Sequence, residues 1–517
     1  MPPATGEERL HLATVARLAG RADASRLVCQ QVAARARADG DPELLARAAL
    51  LEGADLRPGV VDRGLVAHLE EALTAIAALD GRAPALACRL EARLAAALQP
   101  AANPEGPIAM ARRALANTRA LGDDALLLDV LEVAGSALVD YAPPEERRAL
   151  SEELLALATR AGDGPKALRA QARAALDQME LGDFDAFERT AAAMLALSDE
   201  VGHPRHRWRA LLVASCRALT LGYFTESERH ASEASHLGAL TDDPALPLAL
   251  CAHRALRARL TRHDDELPSA LADLERSMSG VPQAELVAAL VRATCFARVE
   301  DADGTRRELT LIGARGAGLT TDRTFQAWLA EAYALAGTDA ERAATRALLV
   351  DARTGDVVGG HIPFTYEGTV ARLLGLLDAA LGDAAGAERN LGEARALAAH
   401  RRHAPWVAQL DYERGKVARR AGREEDARAL FSAAAEAAAE LGMTGLVSAA
   451  RRRLDRVEAT TTTTAAPAPG PGPREVESAR EGELWRFSRG ATTVRIRASR
   501  GAELLSLLFE RPGEELH

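Results

Sequence analysis

The feature that most constrains this chain is a helix break that recurs on a regular grid. Gly182 and Gly222 stand forty residues apart, as do Gly382 and Gly422, and Gly20 and Gly337 fall near the same spacing. Polar or proline breaks near Arg63, Asn103, Pro143, Arg262 and Asp301 fill the steps between them. A chain of 517 residues would ordinarily divide into several globular domains. A fixed internal period points elsewhere, because each repeat is too small to bury its own apolar face and must stack on its neighbours.

Between breaks the pattern is helical. Trp208, Leu211, Leu212, Ser215 and Leu219 recur at helical spacing, and Phe431–Leu441 is alanine-rich and free of proline. The best-formed units place small residues five and twelve positions after the glycine: Gly422, Ala427, Ala434; Gly382, Ala387, Ala394; and Gly222, Ser227, Ala234. Positions seven apart share one helix face, and two helices approach closely only where that face is small. With 48% hydrophobic but only 3% aromatic residues, the core must be built from such small aliphatic side chains.

The glycine-plus-two-alanine pattern resembles the tetratricopeptide repeat, and Leu-Gly-Asp at 181–183 and 381–383, with Ala-Gly-Arg at 421–423, resembles its interhelix turn. The period is longer than that family's usual ~34 residues, and its Trp-x-x-Leu-Gly-x-x-Tyr signature is missing. Longer, irregular repeats of this kind are similar to the sensor arms of large bacterial ATP-dependent transcriptional regulators, including the maltose-regulon activator type. HEAT-like and armadillo-like arrays are the structural alternative. The resemblance implies an all-α, right-handed superhelical αα-hairpin solenoid of about eleven pairs over residues 1–457. It implies a concave groove that binds a protein, a peptide or a small effector within a regulatory or signalling system.

The ATPase domain that usually precedes such arms is not expected here. A phosphate-cradling loop needs Gly-Lys followed by Ser or Thr, whereas Lys166 follows Pro165 and Gly415-Lys416 is followed by Val417. A separate ATPase is therefore one partner the resemblance suggests.

After Arg456 the pattern stops. Residues 458–478, with Thr460–Thr464 and a Pro/Gly/Ala run, read as a linker that cannot continue a helix. Residues 479–517 read as an incomplete winged-helix-like ββα element: strands over Glu483–Arg489 and Thr492–Ser499, then a helix over Gly501–Glu510. Arg486, Arg489, Arg495 and Arg497 are its candidate phosphate contacts, which makes a DNA-binding transcriptional regulator the alternative function. Phosphate contacts carry no sequence information, and the later helix that reads a groove is missing, so nucleic acid is not the expected partner of this chain alone.

Charge and reactive groups exclude more than they suggest. Sixty-two of the 64 basic residues are arginine, and the net charge of −10 argues against a globally basic nucleic-acid binder. Cys29, Cys88, Cys216, Cys251 and Cys295 are isolated and read as reduced, buried side chains. The absence of a leader or a long apolar segment suggests a soluble, cytoplasmic protein with no membrane partner. His203/His206 and His400/His403 read as turn residues at matching repeat positions rather than metal ligands. Acidic pairs such as Glu145-Glu146 and Glu424-Glu425 read as helix-start carboxylates. No catalytic, metal or cofactor site is expected.

Two groups remain as candidate partner contacts. Trp208, Trp328 and Trp406 are the scarce aromatic anchors, with a place in the core between repeats as the competing reading. The step from Gly337 to Gly382 is 45 residues, and the excess falls in 354–368, where His361, Phe364 and Tyr366 enrich a loop. Insertions of this kind map to one face of a solenoid, often the binding face, although many are merely tolerated.

Overall fold

The computed structural model describes residues 5–56, 61–99, 101, 103–139, 141–238, 240–241, 243, 245–262, 266–277, 284–313, 323–360, 362–464, 477–489 and 492–510. The side chains of 205, 248, 284, 457–464, 477, 489, 504 and 507–510 are excepted. Two compact units divide at Asp455/Arg456. Among the described residues the first unit carries twenty-three helices, the last of which runs on past the division, and they pack as successive antiparallel pairs. The fold is the expected αα-hairpin array.

The turns explain the grid. At Gly40, Gly122, Gly162, Gly182 and Gly382 the backbone is left-handed, with φ between 66° and 87°, a conformation that glycine adopts without strain. An aspartate follows each of these glycines, and its carboxylate accepts a hydrogen bond from a backbone N–H in the first turn of the next helix. Gly-Asp thus ends one helix and starts the next. Left-handed residues also stand at Gly202, Gly222, Arg402, Gly422 and Gly442. The interval in these stretches is therefore twenty residues, one helix and its turn, and the forty-residue step is a pair.

The small positions do what the spacing implied. Ser227, Ala234, Ala387, Ala394, Ala427 and Ala434 are all fully buried between paired helices. Where a large side chain does enter a pair, a glycine faces it. A Cβ on Gly415 would lie 2.7 Å from the Phe431 ring, and one on Gly375 would lie 2.7 Å from Leu391.

The excess residues at 354–368 are not an exposed loop. Asp356–Gly359 and Thr365–Thr369 form an antiparallel hairpin, with Asp356 opposite Thr369 and Gly359 opposite Thr365, and every residue of both strands is buried. The linker also begins later than its composition suggests. The last helix of the array, Thr444–Thr464, continues through the threonine run, because threonine is a weak helix former rather than a breaker.

The second unit is βββα rather than ββα. Glu477–Glu481 adds a strand antiparallel to Leu484–Arg489, which pairs in turn with Thr492–Arg497, and the helix Arg500–Glu510 follows. Its first strand begins inside the stretch expected to be linker.

Candidate ligand groove

The first helix of each pair packs beside the first helix of the next, so these helices together form one inner face of the array. Between the helices Gly164–Glu180 and Ala404–Arg420 this face is filled by the protein itself. The hairpin lies against Gly164–Glu180, Pro204–Leu221, Ala245–Thr261 and Arg323–Ala336. Ionic groups fill the remaining space.

Arg298 and Arg372 both donate to Glu331, at 2.9 and 3.0 Å, and Arg372 also donates to Glu413 at 2.8 Å. Arg259 donates to Thr294 at 2.8 Å and pairs with Glu367 of the hairpin. Gln409 donates to Glu413, and Thr365 to Glu367, at 2.9 Å each. All six charged groups are buried, and three arginines balance three glutamates. Burial alone would raise the glutamate pKa values, but Arg298 and Arg372 hold Glu331 well below the usual carboxylate range, and Arg372 holds Glu413 down. The formal charges of the network are matched, although one nitrogen each of Arg259, Arg298 and Arg372 is buried without a hydrogen-bond acceptor among the described residues.

His253 seals the same region. A carbonyl can only accept, so its Nδ1–H donates to Phe364 O at 2.5 Å, while Nε2 lies 2.8 Å from the hydroxyl of Ser215, which also reaches Ser227 O at 2.7 Å. Burial pushes this imidazole down to about 4. Nearby, Tyr366 donates to Asp356 at 2.6 Å, Arg401 pairs with Asp356 at 2.7 Å, and His403 packs edge-on against Phe184 and Tyr366. A serine beside a histidine suggests nucleophilic chemistry, but here the ring's other nitrogen meets a carbonyl rather than a carboxylate, and both groups are wholly enclosed. The pair is a structural latch.

The aromatic candidates are corrected by these contacts. Trp208, Trp328 and Trp406 are 1%, 2% and 2% exposed, so no partner surface includes them. Trp406 stacks near Arg298 and Arg372 and against Gly368, whose φ of 90° brings the hairpin backbone onto the indole. Trp208 packs with Leu211, Leu246 and Leu250, and Trp328 with Phe325. In an array of small side chains the few large ones fill the gaps between repeats. Tyr366 is buried, Phe364 is half-buried between two helix clusters, and His361 lies outside the described residues.

In the second unit Arg486 and Arg495 both pair with Glu481, at 2.6 and 3.0 Å, and Arg497 lies 3.9 Å from Glu483. The side chain of Arg489 lies outside the described residues. The arginine strand face thus already carries its own carboxylates.

The N-terminal part of the inner face differs. The helices Gly6–Leu18, Pro42–Glu52 and Pro84–Ala97 border an open cleft of about 830 Å³. Leu10, Leu50, Leu51 and Leu86 supply its apolar wall, and Glu7, Glu43, Arg47 and Arg89 its polar rim. Arg47 bridges Glu7 at 2.5 Å. Nothing in the sequence singled these residues out, because leucine and arginine are common throughout the chain and only packing gathers this set around one cleft.

No known family's sequence profile matches the chain, and no curated protein is similar enough in sequence to count as a relative. Among solved structures, a Rap protein crystallised with competence and sporulation factor is 12% identical, with a TM-score of 0.39 over 61% of this chain and 99% of that one. Yeast Tom70 is 11% identical, with a TM-score of 0.29 over 89% and 97% of the two chains. A circular tandem repeat protein is 15% identical, with a TM-score of 0.14 over 89% and 91%. With scores this low, the architecture stands on the chain's own helices and their packing.

Proposed function

We propose that this protein is a non-enzymatic interaction module that binds an extended protein segment along the open N-terminal part of its inner face. The observation that supports this is the contrast between the two parts of that face. One is filled by its own hairpin and a charge-balanced network, and the other is an 830 Å³ cleft with leucines at its wall. Apolar walls with a few polar groups at the rim suit an extended ligand better than a small molecule in so open a cleft. The repeat resemblance supports a finer reading, a sensor arm in a cytoplasmic bacterial regulatory or signalling system, with a separate ATPase as one partner.

The test uses the full chain as bait in its native host, with cross-linking and mass spectrometry to locate the contact. Cross-links at Glu7, Glu43 and Arg82–Arg89 are expected, and Leu50→Arg with Leu86→Arg should abolish capture while leaving the helical circular dichroism unchanged. Capture that survives those substitutions, or cross-links confined to 477–510, overturns the reading.

A further inference from the structure

Two kinds of connection hold the array together, and they are distributed unevenly along it. From Gly6–Leu18 to Pro144–Ala161 each helix packs on the other member of its pair and on the adjoining pair. Ion pairs here follow the same rule. Arg47 meets Glu7 at 2.5 Å, Arg89 meets Asp129 at 2.8 Å, Arg112 meets Glu146 at 2.6 Å and Arg119 meets Glu153 at 2.6 Å, each spanning forty residues or fewer. The buried apolar residues of this stretch fall in two cores in series, one from Leu10 to Ala97 and one from Cys88 to Ala170.

From Gly164–Glu180 onward the connections also run across the array. One apolar core takes in Leu168, Val213, Val358, Tyr366, Trp406 and Leu410. Pro204–Leu221 packs against Ala404–Arg420, and a Cβ on Gly222 would lie 2.8 Å from Leu441 and 3.2 Å from Pro405. A Cβ on Gly182 would overlap the Arg401 guanidinium. His253 reaches Phe364 O across 111 positions, and Arg259 reaches Glu367 across 108. Glu300 receives Lys416 at 3.0 Å and Arg453 at 2.6 Å, which stand 116 and 153 positions away.

The two patterns behave differently when the structure fluctuates. Where each repeat touches only its neighbours, stability is a sum of local contributions and pairs open one after another. A brace between distant positions is broken only when its two ends separate, so braced helices open together. The two stretches meet at a neighbour interface, where Arg147 pairs with Asp177 at 3.0 Å and Arg148 with Asp183 at 3.2 Å. Opening on one side of it uncovers a single helix pair on the other.

We infer that the helices from Gly6 to Ala161 form a compliant arm, which opens pair by pair on a cross-braced block, residues 164–455, that opens only as one body. The division falls inside the first compact unit, between two helices that are packed like any other neighbours. The open cleft, lined by residues from Glu7 to Arg89, belongs to the arm, so its width changes without any brace being broken.

The experiment is native-state hydrogen exchange on the full-length chain, read by mass spectrometry, together with urea unfolding followed by two probes. Amides of Arg63–Ala77 and Pro84–Ala97, in the interior of the arm where end fraying does not reach, should exchange about tenfold or more faster than those of Pro204–Leu221 and Ala404–Arg420. Trp208, Trp328 and Trp406 all belong to the block, so in a Trp485→Phe background tryptophan emission reports the block, while far-ultraviolet circular dichroism reports every helix. Circular dichroism should lose about a third of its helical signal, the arm's share, before emission changes in a single step. Leu90→Ala, in a core of the arm, should lower the first transition by about 1–2 M urea and leave the emission midpoint in place. Leu410→Ala, in the core of the block, should lower the emission midpoint and leave the first transition in place.

Coincident midpoints, emission that changes first or in two steps, or a Leu90→Ala shift in emission overturns the inference. So does equal exchange in the two sets of helices. None of these outcomes bears on what the cleft binds, which the Leu50→Arg and Leu86→Arg pair judges separately.

Discussion

At the scale of residues, buried ionisable groups decide how this protein responds to pH and substitution. His253 ordinarily titrates near 6.5 and is pushed down to about 4 by burial, so the folded state holds it neutral. Its contribution to stability is fully present above pH 6.5 and is lost as pH falls toward 4, by about 3 kcal/mol at ~1.4 kcal/mol per unit. His253→Gln removes that dependence. Chemical denaturation should therefore show the stability gap between parent and variant narrowing by about 3 kcal/mol between pH 7.5 and 4, and a constant gap would refute the assignment. Glu331, shared by Arg298 and Arg372, sets a second test. Glu331→Ala leaves buried guanidinium groups unmatched and should cost about 3–5 kcal/mol. A loss below 1 kcal/mol would mean that water enters the network.

At the scale of elements, the small positions between paired helices carry the packing. Ala434 is fully buried and Ala433, one residue away, is exposed. Ala434→Leu should therefore destabilise by about 1–3 kcal/mol through overpacking, while Ala433→Leu stays within about 0.5 kcal/mol. Thermal melting of the two variants side by side checks this. These positions were legible in the sequence because a glycine break followed by small residues at +5 and +12 records a steric demand on the chain itself. The hairpin was not legible. Thr365-Tyr-Glu-Gly-Thr369 alternates weakly and looks like an insertion, and it becomes a buried pair of strands only because helices from 164 to 336 supply its surroundings. The third strand of the C-terminal unit, Glu477–Glu481, was missed for a related reason: its residues favour a strand only when Leu484–Arg489 pairs with them.

At the scale of the whole array, repeats far apart in sequence are tied together. Glu300, at a left-handed turn, accepts from Lys416 at 3.0 Å, Tyr412 at 3.0 Å and Arg453 at 2.6 Å. Lys416 and its neighbouring cations hold this carboxylate below its usual range despite partial burial. Its stabilising effect is therefore present above about pH 4.5 and lost as pH falls below. Glu300→Gln should release the helix beginning at Thr444, seen as faster amide hydrogen exchange over residues 446–456 with little change before residue 250. Uniformly faster exchange would show that the clamp supports global stability instead. No helix among the described residues is long and apolar enough to cross a membrane.

The sequence by itself determined that this chain is a stacked array of helix pairs and where most pairs turn, because glycine, aspartate and small side chains express local backbone and steric requirements. Only the tertiary structure decided which stretch of the inner face is filled and which is open. That depends on where a hairpin from residues 356–369 comes to lie and on which arginines and carboxylates the packing brings together. Arg372 finds Glu331 and Glu413 on two other helices, and Arg401 finds Asp356 of the hairpin. Composition records both as arginine, and only their tertiary surroundings make them supports of the fold.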